Sequence, residues 1–368
     1  MDRKGSTYAT YIEILRKELV PAMGCTEPIA VAYCAAIARR ILGSEPESVE
    51  IEASGNIRKN VKSVIVPNTD GRRGVEAAAA VGIVAGDDTL GLELISNVSA
   101  EDKARLSRFL AETPIKVRPA ASELALDVTV SVYSGGDSVK VRIVNHHTGL
   151  ALIEKNGEVL FSAQPEDPAE ESGLDYGLLS VEGIYDFAVS LDVEDVRELF
   201  SRQLDYNCAI AREGLTGDYG ANIGKVIINQ GDSVHTRARA RAAAASDARM
   251  GGCELPVVIN SGSGNQGITV SVPVAEDAEE LGSDEDRLFR ALAISNLNAI
   301  HLKEKIGRLS AYCGAVTAGA SAAAAISFLQ GGDLDSISHV LVNALAITSG
   351  MVCDGAKPSC AAKIAAAV

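Results

Sequence analysis

Tryptophan is missing from this 368-residue chain, and Phe, Tyr and Trp together make up 4% of it. A single-stranded nucleic-acid platform stacks bases on aromatic rings, so this poverty weighs against one. Basic charge is also scarce. Lys and Arg total 34 against 49 Asp and Glu, for a net charge of −15. That balance disfavours nucleic acid and anionic membranes as partners, but local donors can still receive a small anion. No run reaches the ~18 consecutive apolar residues of a membrane helix. The polar opening, residues 1–10, gives no sign of a signal peptide. The seven cysteines are an odd number with no compact Cys-x2-Cys pair. A disulfide framework is therefore not expected; reduced thiols or metal ligands in the cytoplasm fit better.

What is present is aliphatic: 47% of residues are apolar, enough for a large core built on Ala, Val, Ile and Leu. The pattern predicts a helix over 6–20, a loop 24–28, and a helix over 29–42 with Pro28 in its first turn and Thr26 as cap. Short alternating runs at 48–53, 62–66, 124–133, 139–144, 150–154 and 158–162 read as strands, with helices at 74–84 and 100–110 between them. Asn156-Gly157 reads as a hairpin turn, and 164–180 as a loop. Beyond 193 the chain reads as helical over 193–213, 233–248, 283–306, 311–329 and 335–350, with Gly-rich joints at 214–224, 251–253, 261–267 and 330–332. The expected fold is α+β: a discontinuous helical domain, 1–45 plus 193–368, with an α+β insert over 46–192. Ala-rich helices and an Arg face (Arg237, Arg239, Arg241, Arg249) suggest a homodimer.

Three cysteines draw attention. Cys353 and Cys360 bracket Asp354-Gly355-Ala356-Lys357-Pro358-Ser359, and Cys313 lies upstream. Three thiolates can hold three corners of an iron–sulfur cluster and leave one iron open as a Lewis acid. Buried helix cysteines are the plainer reading, and tetrahedral zinc completed by Cys25 or His301 is the metal competitor. Cys25 sits just before a helix, where the dipole favours thiolate, so it can be a base, nucleophile or ligand. Cys34, Cys208 and Cys253 read as structural. Asn260-Ser261-Gly262-Ser263-Gly264-Asn265-Gln266-Gly267 reads as an anion nest or a plain turn. Gly55-Asn56-Ile57-Arg58-Lys59-Asn60 reads as a loop between strands, with amide and cationic donors. His301 to Arg308 is a basic run at a helix end.

Four segments, taken together and in order, resemble the L-cysteine desulfidase family, which is related to the α chain of iron–sulfur L-serine dehydratases. They are Met23-Gly24-Cys25-Thr26-Glu27-Pro28, Asn260 to Gly267, Ile306-Gly307-Arg308-Leu309-Ser310-Ala311-Tyr312-Cys313-Gly314, and Met351-Val352-Cys353-Asp354-Gly355-Ala356-Lys357-Pro358-Ser359-Cys360. The resemblance runs from about residue 20 to the C-terminus. It implies an oxygen-sensitive [4Fe-4S] cluster on Cys313, Cys353 and Cys360, with Cys25 as general base. It implies α,β-elimination of L-cysteine to pyruvate, ammonia and hydrogen sulfide without pyridoxal phosphate. The motifs do not separate cysteine from serine or other β-substituted amino acids. A non-catalytic metal or cluster sensor is the rival of another class. The expected substrate-binding residues are Thr26, Glu27, Asn56, Lys59, Ser261, Gly262, Ser263, Gly264, Asn265, Gln266 and Lys357, with Lys303, Lys305 and Lys357 as candidate carboxylate partners.

Overall fold

A computed structural model describes residues 1–163, 173–307 and 309–368. The chain opens with α1 (Ser6–Glu18), which buries Tyr11, Ile14 and Leu15. A short strand β1 (Pro21–Met23) leads straight into α2 (Thr26–Leu42). Gly43, at φ 85°, ends α2 in the left-handed conformation that glycine tolerates. Next come β2 (Ser48–Ala53), α3 (Gly55–Val61), α4 (Val75–Ala85) and α5 (Ala100–Glu112). Ser99 and Asp102 close a reciprocal capping box on α5.

The strands β3 (Ile115–Pro119), β4 (Asp127–Ser134), β5 (Asp137–Val144), β6 (Leu150–Lys155) and β7 (Glu158–Ser162) join β2 in one six-stranded sheet of order β3-β2-β4-β5-β6-β7. Only the β2–β3 pair is parallel. The sheet buries Val128, Val130, Val132, Val139, Val141 and Ile143 on one face, in a core shared with α2 and α4. This period-2 alternation is what makes β4 and β5 legible in the sequence. Asn156 and Gly157, both at positive φ, turn β6 into β7 as expected. The fold is α+β.

The rest of the chain is helical: α6 (Val181–Ser190), α7 (Arg197–Thr216), α8 (Ile223–Ile228), α9 (Val234–Met250), then a short strand β8 (Pro256–Val258), α10 (Gly264–Glu280), α11 (Glu285–Ile306), α12 (Gly314–Leu329), α13 (Leu334–Thr348) and α14 (Ser359–Ala367). The alanines do pack helices closely. A Cβ on Gly214 of α7 would lie 1.9 Å from the Ala244 carbonyl oxygen of α9. No described helix is long and apolar enough to cross a membrane.

Several expectations need correction. Residues 62–66 form no strand beyond an isolated bridge between Ile65 and Arg73. The preceding Gly55 to Asn60 segment is not a loop but most of α3, because Ile57 and Val61, four apart, bury one helical face. Helix α2 begins at Thr26, with Cys25 rather than Thr26 at the cap position. Helix α10 is hidden in the sequence because its start is Gly-rich and Pro273 lies within it; α6, α8, α14, β1, β3 and β8 are likewise additions to the expected elements. The arginine face is internal in part: Arg237 and Arg241 pair with Glu276 on α10, and Arg239 donates to the Ala365 carbonyl. Arg249 is buried. Residues 164–172 of the expected loop, and Arg308, lie outside the described residues.

Candidate active site

Strand pairing sets the site. β1 and β8 run antiparallel, with Met23 opposite Pro256 and Pro21 opposite Val258. Each strand leads into a helix, and the longer link after β8 folds back so that the start of α10 lies beside that of α2. The link from β8 to α10 is a tight turn. Ser261 and Gly262 take φ of 49° and 77°, and Asn260 and Ser263 exchange backbone hydrogen bonds of 3.1 and 3.0 Å. The side chain of Ser263 then caps α10 by accepting from the Gln266 amide. Thr26 locks the two helix starts together, its hydroxyl donating 2.9 Å to the Gly262 carbonyl.

A second pairing brings distant cysteines together. Cys313 N–H donates to the Met351 carbonyl at 3.0 Å, and Cys353 N–H donates to the Ala311 carbonyl at 2.8 Å. A Tyr312–Val352 bridge lies between them. Cys313 is the cap residue of α12, and Cys360 lies in the first turn of α14. Gly355, at φ 101°, lets the intervening loop pass against α3; a Cβ there would lie 2.5 Å from the Lys59 carbonyl oxygen. Lys357 and Lys363 both pair with Asp354 and pin the loop.

One cavity receives all of this. Its walls include Cys25, Thr26, Glu27, Lys59, Gly262, Ser263, Asn265, Gln266, Cys313, Cys353 and Cys360, all singled out from the sequence. Asn56, Ser261, Gly264 and Lys357 are not among its described lining residues. Ser261 bonds to Asn260, and Lys357 is held by Asp354. Lys305 is exposed beside Glu304 and also lies outside the wall. Asn60 and Arg249 are among the lining residues outside the expected set. Asn60 is one turn beyond Asn56 on α3. Arg249 is in the last turn of α9, and grouping it with the other arginines of that helix hid it. Lys303 of α11, a candidate carboxylate partner with Lys305 and Lys357, also lines the wall and is buried.

The starts of α2, α10, α12 and α14 all contribute to this wall. Helix N-termini carry partial positive charge and unpaired N–H groups. Lys59, Arg249 and Lys303 add full positive charge, against Glu27 as the only carboxylate among the described lining residues. An acidic chain thus carries an electropositive pocket suited to thiolates and small carboxylates.

Cys25 departs from expectation. Burial pushes its thiol well above the ordinary range, and the neighbouring Glu27 carboxylate pushes it further, against the pull of Arg249. Desolvation outweighs the helix start. The thiol donates 2.8 Å to Glu27 Oε2, while Asn60 donates 2.9 Å to Glu27 Oε1. Burial alone would raise the Glu27 pKa; the charge of His147, the bond from Cys25, the bond from its own backbone N–H and the charge of Arg249 reverse this and hold it below the usual carboxylate value. Cys25 and Glu27 therefore form a protonated thiol resting on a buried carboxylate.

The three candidate ligands are free, half-buried thiols. Among the described residues, no three His, Cys, Asp or Glu side chains converge tightly enough for one metal ion. Of the two residues that could complete a tetrahedral zinc site with the trio, Cys25 lines this wall and His301 does not. A cluster spreads its thiolates over separate irons. Three thiols around one electropositive cavity suit that donor set. Three buried polar atoms on the wall lack partners: Asn60 Oδ1, Arg249 Nε and Gln266 Oε1. Cys34, Cys208 and Cys253 lie off this wall; Cys34 is buried under the sheet and donates to the Val141 carbonyl at 3.2 Å.

Three free thiols, a buried thiol–carboxylate pair and an electropositive wall meet in one pocket, as the resemblance to iron–sulfur dehydratases leads one to expect. Comparison with known proteins agrees at the family level. The sequence model of the serine dehydratase alpha chain matches residues 89–368. The chain belongs to the serine dehydratase alpha-chain family. It is 54% identical to a UPF0597 protein of Desulfitobacterium hafniense (strain Y51) over 369 residues, covering 100% of this chain and 86% of that protein. A UPF0597 protein of Lachnoclostridium phytofermentans is 50% identical, with 98% and 87% covered. One from Vibrio parahaemolyticus serotype O3:K6 is 38% identical, with 97% and 85% covered.

Proposed function

We propose that this chain is an iron–sulfur-dependent lyase that eliminates the β-substituent of a small L-amino acid, with L-cysteine as substrate and pyruvate, ammonia and hydrogen sulfide as products. The observation that carries this reading is the meeting of Cys25 and Glu27 with Cys313, Cys353 and Cys360 on one wall built from four helix starts. Cys313, Cys353 and Cys360 would hold a [4Fe-4S] cluster, which supplies an open iron as Lewis acid for the departing β-group.

The chain's own residues do the rest. The Cα proton of an amino acid is weakly acidic, so its removal needs a placed base. The 2.8 Å bond offers the Cys25 proton a path to Glu27; with the thiol raised and the carboxylate lowered this transfer runs uphill, so the thiolate forms only in passing, as it takes the Cα proton. Asn60 holds Glu27 in place through its other oxygen. The helix starts offset negative charge as it develops at the substrate. Elimination leaves an aminoacrylate, which tautomerises and hydrolyses in water to pyruvate and ammonia.

L-Serine is the second reading, favoured by the serine dehydratase alpha-chain match. After anaerobic reconstitution with iron and sulfide, pyruvate and sulfide in equal amounts from L-cysteine support the first reading. Pyruvate from L-serine alone moves the assignment to a dehydratase. A cluster with no pyruvate from either leaves a sensor.

A further inference from the structure

Arg249 is 2% exposed, yet no carboxylate pairs with it among the described residues. Its Nη1 donates 3.1 Å to Asn265 Oδ1, a neutral amide. Its Nε is buried without a hydrogen-bond partner. Gly264 makes room for it, since a Cβ there would lie 2.3 Å from Nε. A guanidinium is charged at every accessible pH, and a buried charge without a counter-ion is costly. An arrangement that keeps such a group on a cavity wall is completed by an anion.

The first turn of α10 lies beside it. The Gln266 amide is taken by Ser263 Oγ, and Asn265 and Gln266 of that turn line the same wall as Arg249. Guanidinium forks and helix starts both match a carboxylate. Of the three lysines weighed for that anion, Lys357 and Lys305 have carboxylate neighbours and lie off the wall, whereas Lys303 shares the wall with Arg249.

We propose that Arg249, steadied by Asn265 and backed by the first turn of α10, binds the α-carboxylate of the substrate and so confines the site to amino acids over the corresponding amines. This rests on the elimination reading for the identity of the substrate. The charge also acts on Cys25 and Glu27 from the same wall, which places the bound carboxylate's anchor near the base.

The test is calorimetric binding of L-alanine, which has no leaving group, and of ethylamine, its decarboxylated counterpart, to the whole reconstituted chain. Wild type should bind L-alanine and not ethylamine. Arg249→Gln should weaken L-alanine binding about 10- to 100-fold, the scale of a lost charge-assisted pair, and Arg249→Lys should recover part of it. Asn265→Ala, which keeps the charge, should cause a smaller loss and guards against an unfolded Arg249→Gln. Equal L-alanine binding by wild type and Arg249→Gln, both folded by circular dichroism, overturns the assignment. So does loss of cluster absorbance in Arg249→Gln with L-alanine binding intact, since the arginine would then serve the cluster. Absence of L-alanine binding by wild type overturns it as well. The elimination reading is scored separately, by pyruvate release from wild type: turnover with an unchanged KM in Arg249→Gln sinks this proposal alone, whereas wild type without turnover sinks the reading.

Discussion

Glu27→Gln is the most informative single change. The replacement is nearly isosteric and its Oε1 can still accept the 2.9 Å bond from Asn60, so the start of α2 should keep its shape. What disappears is the acceptor for the Cys25 thiol, now 2.8 Å away at Oε2. Two effects on Cys25 then oppose each other. Losing the carboxylate charge lowers the thiol pKa, because Glu27 is among the groups that raise it. Losing the acceptor removes the route by which the thiol sheds its proton in a dry site. If the route matters, kcat for pyruvate formation should fall by about 10²- to 10⁴-fold, or about 3–5 kcal/mol of barrier at 1.36 kcal/mol per tenfold. Stability should fall by about 1–3 kcal/mol at most, the scale of one disturbed buried hydrogen bond. The assay is initial-rate pyruvate release across pH, with melting temperature and cluster absorbance measured on the same preparation. A variant that keeps full turnover, with its pH–rate profile moved to lower pH, would show Cys25 working as base without Glu27 and refute the pair.

Other consequences follow from the packing and the buried thiols. Gly82→Ala sets a Cβ 2.1 Å from the Ala32 carbonyl oxygen where α4 crosses α2; the overlap should cost about 1–3 kcal/mol, read as a lowered denaturation midpoint. Asp127→Asn breaks a buried carboxylate that accepts 3.0 and 2.7 Å bonds from Arg142; Arg142 is about a third exposed, so water relieves part of the loss and about 1–3 kcal/mol is expected. Burial raises the thiol of Cys34 far above its unfolded value. Stability from keeping it neutral is complete below about pH 8.5 and is lost as pH rises above that, at up to about 1.4 kcal/mol per pH unit. Urea midpoints at neutral and alkaline pH should show this loss, and Cys34→Ala should flatten it while lowering stability at both. Gly355→Ala, strained at φ 101° and pressed on Lys59, should lift the 353–360 loop and abolish cluster absorbance while leaving the far-ultraviolet dichroism intact.

The contrast between what is legible in the sequence and what is not has physical causes. Strands β4 and β5 and helices α1, α5, α11 and α13 carry one dominant period each, so their existence can be read directly. Residues 62–66 alternate in the same way, yet they follow a helix that uses Ile57 and Val61 and find no neighbouring strand; pairing is a tertiary matter that five residues do not encode. Helix α10 is masked by glycines and a proline that local rules read as breakers, although the capping serine at 263 is visible. The site is legible as a set of motifs, because Cys25, the 260–267 turn, Cys313 and Cys360 each sit at a helix start, with Cys353 in the loop before Cys360. Their convergence is not, since it depends on the β1–β8 pair and on the backbone bonds joining 311–313 to 351–353. The charge state of Cys25 escapes the sequence for a related reason. A helix start is a local feature that favours thiolate, whereas burial and the Glu27 contact arise only on folding. Arg249 is hidden among arginines whose partners lie on α10, far along the chain.

The central claim is that three cysteines and the Cys25–Glu27 pair act in one site as an iron–sulfur lyase. The most direct measurement is anaerobic reconstitution with iron and sulfide, followed by the visible spectrum and simultaneous assay of pyruvate and sulfide on addition of L-cysteine, for wild type and for Cys353→Ala. The account predicts broad cluster absorbance and equal product release in wild type, and the loss of both in the variant. A reconstituted wild type that shows the absorbance but releases no pyruvate from any β-substituted amino acid, or a Cys353→Ala variant that keeps both absorbance and turnover, would contradict it.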